Sequence, residues 1–144
     1  MPEYNQGIFY PKNPEKYIGT NKPIYRSSWE LVMMNFCDNH PNIQQWSSES
    51  IFIPYQDPFT GLWRKYIPDF FILYVDKNGL SHRDIIEIKP LNQTLPEKAK
   101  GKKNQQQLIM NHAKWQAAQI WCVQNNIKFR IYTEEQLFAS TKNK

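Results

Sequence analysis

Apolar positions change their spacing several times along the chain, and each spacing predicts an element. Trp29, Val32, Met33 and Phe36 recur three and four apart, the one-sided stripe of an amphipathic helix. Ser27-Ser28-Trp29-Glu30 opens that helix, and His40-Pro41 closes it because a residue ahead of proline is pushed out of the helical region. Extended segments follow at 43–46 and 51–53, then a turn at Asp57-Pro58-Phe59-Thr60-Gly61. Residues 63–67 and 69–75 read as one long strand with Pro68 at a bend or an edge. Asp76-Lys77-Asn78-Gly79 is a hairpin turn, and 80–89 returns as the third strand.

Pro90 stops that strand, and a polar, lysine-rich loop leads to a second helix from about 104 to 125. Met110, Ala113, Ala117, Ile120 and Trp121 mark its apolar face, where the two alanines allow close approach to a sheet. Residues 127–132 alternate as a strand, and Thr133-Glu134-Glu135-Gln136 is the capping-box start of a short last helix. The order α-β-β-β-α-β-α predicts an α/β domain with a mixed sheet flanked by helices, over 26–140. Ahead of it, 1–25 interleaves Pro2, Pro11, Pro14 and Pro23 with Tyr4, Phe9, Tyr10 and Tyr17. That mixture predicts an extended arm whose aromatics pack on a neighbour.

Composition narrows the picture. A chain of 144 residues is one domain in size, and 40% hydrophobic with 15% aromatic residues supplies a core. No apolar run nears the roughly 20 residues of a membrane-spanning helix, and the first residues lack a signal-peptide pattern. A soluble cytoplasmic protein is expected. Cys37 and Cys122 stand far apart, and His40, His82 and His112 are scattered, so zinc-ligand spacing is missing and the thiols are expected to be reduced and buried. A net charge of +5 favours polyanions only modestly.

The chemistry concentrates at Pro68-Asp69 and Glu87-Ile88-Lys89. Alternation along a strand puts Ile85, Glu87 and Lys89 on one face and Ile88 on the other. A carboxylate inside the apolar run Ile85-Ile86-Glu87-Ile88 is expensive to bury without a partner. The hairpin turn supplies one. If Lys77-Asn78-Gly79 is a three-residue loop with Gly79 left-handed, Asp76 pairs with Leu80 and paired residue numbers sum to 156. Asp69 then faces Glu87, with side chains roughly 5 Å apart. A two-residue Asn78-Gly79 turn would instead set Asp69 opposite Ile88, and the first register is preferred because it gathers all three polar groups.

Two carboxylates at that distance repel when ionised, and a divalent cation relieves the repulsion. Oxygen ligands select a hard ion, Mg²⁺ or Mn²⁺, which polarises a phosphoryl oxygen and lowers the pKa of bound water. Lys89 is placed to hold or activate that water, or to stabilise charge on the phosphate. Glu30 lies at the edge of the first helix's apolar stripe and completes the acidic cluster, although Ser27-x-x-Glu30 is equally a capping box. Asp69 after Pro68 also reads as a turn carboxylate, and Glu49 as a solvated strand residue.

Pro68-Asp69 followed by Glu87-Ile88-Lys89, within this element order, resembles the PD-(D/E)xK nuclease superfamily. Closer blocks resemble the head-completion nucleases of contractile-tailed phages: Tyr25-Arg26-Ser27-Ser28-Trp29-Glu30, Ser48-Glu49 with Ile53-Pro54-Tyr55, Lys114-Trp115-Gln116-Ala117-Ala118-Gln119 and Ile127-Lys128-Phe129-Arg130-Ile131-Tyr132-Thr133-Glu134. This likeness spans most of 8–138 and extends in fold to the endonuclease subunit of certain transposases. It implies a restriction-endonuclease-like core and a Mg²⁺-dependent deoxyribonuclease, with Mn²⁺ a substitute. Asp69, Glu87 and the Ile88 carbonyl would hold the metal, Lys89 would orient water, and Glu30 would assist rather than only cap.

The same likeness implies action on packaged DNA so that tails join filled heads, in the infected cell's cytoplasm or at the virion head and neck. Phage head or neck proteins are the expected partners, together with DNA contacted without base specificity. Lys98, Lys100, Lys102 and Lys103 of the lysine-rich loop, with Arg64 and Lys65, are candidate phosphate contacts, a solvated loop being the plainer alternative. Lys114 stands beside the second helix's stripe, within reach of the site, and Trp115 and Trp121 are core aromatics. A catalytically idle adaptor at the head–tail junction and a junction-resolving or transposase-like endonuclease are the alternative functions. Superfamily junction resolvases act as dimers, so a homodimer is compatible with this reading.

Overall fold

In the computed structural model, which describes residues 6–95 and 101–142 and side chains through Phe138, four strands form the main sheet. They are β3 (Ile43–Ser48), β6 (Phe70–Val75), β7 (Ser81–Ile88) and β8 (Lys128–Tyr132), side by side in the order β3-β6-β7-β8. The first three run antiparallel, and β8 joins parallel to β7 after the long crossover through α2 (Lys102–Gln124). Helices α1 (Ser28–Asn39) and α3 (Glu134–Lys142) cover one face of this mixed sheet, with Met33, Met34, Cys37, Trp46, Phe70, Ile72, Ile86 and Leu137 buried between. The other face packs Ile85 against Trp115, Ala118 and Cys122 of α2.

The expected long strand over 63–75 is two strands in different sheets. β5 (Trp63–Tyr66) pairs with β4 (Ile53–Gln56) in a separate ribbon, and the chain turns at Ile67-Pro68-Asp69 before entering β6. Proline lacks the N–H that a continuing ladder needs, so the bend falls where Pro68 stands. Ile53, Tyr55 and Tyr66 on the ribbon's inner face pack with Ile85 and Trp115.

The predicted helix faces are rotated in the structure. On α1 the fully buried positions are Met33, Met34, Cys37 and Asp38, with Trp29, Val32 and Phe36 at the margin. Asp38 is inside because its carboxylate accepts the backbone N–H groups of Lys12 and Asn13 at 2.8 and 3.0 Å. On α2 the buried line is Leu108, Asn111, Trp115, Ala118 and Cys122, while Ile120 faces solvent.

Residues 6–25 fold back on the domain. β1 (Gly7–Ile8) pairs with β2 (Ile24–Tyr25), and Phe9 and Tyr17 set their rings edge-on to Trp46 at 5.8 and 4.7 Å between centroids. Both cysteines are free and buried, and burial pushes the Cys122 thiol up to about 11. Among the described residues no helix is long and apolar enough to cross a membrane.

Candidate active site

The hairpin between β6 and β7 sets the geometry. Gly79 has φ +80°, where a side chain would be strained, and Asp76 N–H donates to the Leu80 carbonyl at 2.9 Å. Asp76 Oδ1 also accepts the N–H groups of Asn78 and Leu80, fastening the loop from inside. The ladder above it pairs Val75 with Ser81 and Phe70 with Ile86, the register that sums to 156. Asp69, one residue before β6, is thereby opposite Glu87, and its Oδ2 accepts the Ile88 N–H at 2.8 Å.

Glu87 is 7% exposed, and its Oε1 is buried with no hydrogen-bond partner. Lys89 Nζ stands 3.9 Å from Glu87 Oε2, close enough for attraction and too far for a hydrogen bond. Burial and then the Glu87 charge hold the Asp69 carboxyl well above the usual carboxylate range, with Glu30 adding to the effect; the Ile88 N–H and Lys89 oppose it. Burial also raises Glu87, against the pull of Lys89, the Tyr66 hydroxyl and Lys114.

Glu30 does two things. Its N–H donates to Ser27 Oγ at 3.3 Å, and its Oε1 accepts the Arg26 N–H at 3.3 Å, a capping box displaced by one residue. Its charge is also felt by Asp69; burial and then the charge of Glu49 raise its own pKa, while the bonds from Arg26 and Ser27 resist.

Three further groups belong to this region. Glu49 sits at φ +49°, donates its N–H to the Asp69 carbonyl at 3.0 Å, and pairs its carboxylate with Arg26 Nε at 3.2 Å, so it is not the solvated strand residue expected. Nothing in a residue string shows a left-handed glutamate, since that conformation is imposed by the neighbouring chain. Tyr66, at the end of β5, is buried beside Glu87, and its hydroxyl is raised by burial and by that carboxylate. Lys114 of α2 lies over the Tyr55 and Tyr66 rings at 5.8 and 6.0 Å. Its spacing just beside the α2 stripe was the one available signal.

The candidate phosphate contacts divide. Lys98 and Lys100 lie outside the described residues. Lys102 and Lys103 are exposed in the first turn of α2, whose preceding Gly101 supplies no side-chain cap. Arg64 Nε is bonded to Asp57 Oδ2 at 2.8 Å, and Lys65 rests over the Phe52 ring at 4.9 Å, so both are partly engaged within the ribbon.

Asp69, Glu87 and Glu30 offer only oxygen donors. Among the described residues no three His, Cys, Asp or Glu side chains form a ready-made metal cluster. A close carboxylate pair with one orphaned oxygen does fit a cation that completes its shell with water and phosphate, as Mg²⁺ commonly does.

Residues 40–134 match the family model described as TnsA-like endonuclease N terminal, a stretch containing Asp69, Glu87, Lys89 and Lys114, with Glu30 ahead of it. The chain is 36% identical over 144 aligned residues to the head completion nuclease of Enterobacteria phage T4, covering 92% of this chain and 93% of that protein. The mixed sheet flanked by helices is accordingly a restriction-endonuclease-like fold. On both the matched stretch and the near full-length likeness, this chain belongs to the TnsA-like endonuclease family.

Proposed function

We propose that this protein is a divalent-cation-dependent deoxyribonuclease that hydrolyses phosphodiester bonds of packaged DNA during phage head completion. The observation that carries the chemistry is the opposition of Asp69 and Glu87 across the hairpin ladder, both with raised pKa and with Lys89 alongside. The assembly role rests on the likeness to the T4 head completion nuclease.

Asp69, Glu87 and the Ile88 carbonyl would hold Mg²⁺, or Mn²⁺ in its place, with Glu30 as a further acidic group. When bound, such an ion acidifies a water and draws charge from a phosphoryl oxygen. The Ile88 N–H fixes the Asp69 carboxylate, leaving Oδ1 for a ligand. Lys89, which makes no full hydrogen bond to Glu87, has donors available to orient the attacking water and to neutralise charge on phosphorus. Hydrolysis joins the water oxygen to phosphorus, breaks the bond to the sugar oxygen, and leaves that oxygen protonated.

Exposed Lys102 and Lys103 at the start of α2, with Lys98, Lys100, Arg64 and Lys65, supply sequence-independent backbone contacts in this reading. The test is nicking of supercoiled plasmid by purified protein with Mg²⁺, with EDTA, and by Glu87→Ala and Lys89→Ala. Nicking that needs Mg²⁺ and vanishes in both variants is expected; equal nicking by all three proteins overturns the reading. Phage complementation addresses the biology: Lys89→Ala should yield filled heads that fail to join tails.

A further inference from the structure

The α2 helix carries a half-buried lysine beside the candidate site. Lys114 flanks the buried line Asn111–Trp115–Ala118 and is half-buried against the β4–β5 ribbon. Its ammonium lies over both tyrosine rings, 5.8 Å from the Tyr55 centre and 6.0 Å from that of Tyr66. Tyr55 is itself steadied by its hydroxyl on Met110 Sδ at 3.7 Å. Among the described residues Lys114 enters no ion pair.

Burial lowers its pKa, the neighbouring Lys89 ammonium adds to that, and the Glu87 carboxylate opposes both. A half-buried ammonium without an ion pair, set near a second ammonium, is costly to keep. Ring faces recover part of that cost. A lysine that merely covered the tyrosines with its stem would turn its head away to water. This one keeps its head over the ring of Tyr66, whose hydroxyl is buried beside Glu87, and Glu87 Oε1 is itself buried without a hydrogen-bond partner. An anion arriving at this place would satisfy the cation, and the anion that a nuclease brings there is the substrate's phosphate.

We propose that Lys114 is a substrate-contacting residue of this site, its ammonium held by Tyr55 and Tyr66 to take a non-bridging oxygen of the DNA phosphate beside Glu87. This rests on the nuclease reading above. Lys89 and Lys114 then divide the work, one at the attacking water and the other on the phosphate.

The experiment compares Glu87→Gln with Glu87→Gln/Lys114→Met in binding a 20-base-pair duplex, by fluorescence anisotropy across a salt series. Loss of one phosphate contact lowers the slope of log affinity against log salt by about 0.9. In the otherwise unaltered protein, Lys114→Met should lower kcat more than tenfold with a smaller change in KM, and Lys114→Arg should restore the salt slope. The melting temperature of Lys114→Met should not fall. An unchanged slope with wild-type cleavage overturns the proposal, as does a lowered melting temperature with an unchanged slope, which would make Lys114 a structural partner of Glu87. If the unaltered protein neither binds nor cuts DNA, the nuclease reading fails and this inference with it; DNA cleavage with an unchanged slope sinks only the inference.

Discussion

Asp69 Oδ2 accepts the main-chain N–H of Ile88 at 2.8 Å, tying the bend after β5 to the strand that carries Glu87. That bond fixes one carboxylate next to another, and the arrangement is destabilising by itself because burial and mutual repulsion disfavour two charges. Neutral isosteres should therefore stabilise the metal-free protein. Asp69→Asn, whose amide oxygen still accepts from Ile88, and Glu87→Gln are each expected to add on the order of 1 kcal/mol. Asp69→Ala should not match Asp69→Asn, since it leaves the Ile88 N–H without its acceptor. Thermal melts in EDTA check this, and lower melting temperatures for both isosteres would contradict it.

Glu30 can be separated into cap and active-site acid. Ser27→Ala removes the acceptor for the Glu30 N–H and should cost about 1 kcal/mol, with kcat within twofold of wild type. Glu30→Gln keeps an oxygen for the Arg26 N–H but removes the charge facing Asp69. It should hold stability within about 0.5 kcal/mol and lower cleavage at least tenfold. Chemical denaturation paired with nicking rates resolves the two; equal cleavage by Glu30→Gln and wild type would reduce Glu30 to a helix cap.

The acidic opposition was legible because a turn counts residues. Once Gly79 is left-handed and Asp76 meets Leu80, every pair up the ladder follows, including 69 with 87. The break at Pro68 was not legible, because a run of apolar and aromatic residues on both sides reads the same whether the strand continues or changes sheets. Only packing decides: Tyr66 is claimed by Ile53, Ile85 and Trp115, and Phe70 by Trp46. The rotated face of α1 has a similar cause. Asp38 counts as polar in any pattern, yet it is buried because Lys12 and Asn13 bring it donors from far along the chain. Tyr66 comes beside Glu87, and Lys114 over Tyr66, through tertiary contact between a ribbon and a helix; spacing hinted at Lys114 alone, and nothing within β5 marks Tyr66.

Residues 6–25 pack against the main sheet, and the strength of that packing is measurable. Phe9 is buried against Trp46, whose ring also meets Tyr17 and Phe70. Phe9→Ala should cost about 3 kcal/mol in urea unfolding, the scale of a deleted core aromatic. A loose arm would give a cost near zero.

The pH dependence of stability has a definite sign. Asp69, Glu87, Glu30 and Asp84 have raised pKa values in the fold, each chiefly through burial. Above the ordinary carboxylate pKa the folded state thus binds more protons than the unfolded chain, and stability falls as pH rises through the folded values. Asp57 and Asp76 are lowered, the first chiefly by the Phe59 N–H and the second by His82, so their contribution is lost only as pH falls below the ordinary range. Above the ordinary carboxylate pKa the raised group dominates. The metal-free protein should melt at a lower temperature at pH 8 than at pH 5, and Asp69→Asn/Glu87→Gln should flatten that difference. Mg²⁺ should raise the melting temperature at pH 8, by about 2.7 kcal/mol of stability at a hundred times its dissociation constant, and do less as pH falls and the raised carboxyls take up protons. Melting curves over pH, with and without Mg²⁺, measure all three slopes, and a pH-independent metal effect would place the ion away from the Asp69–Glu87 pair.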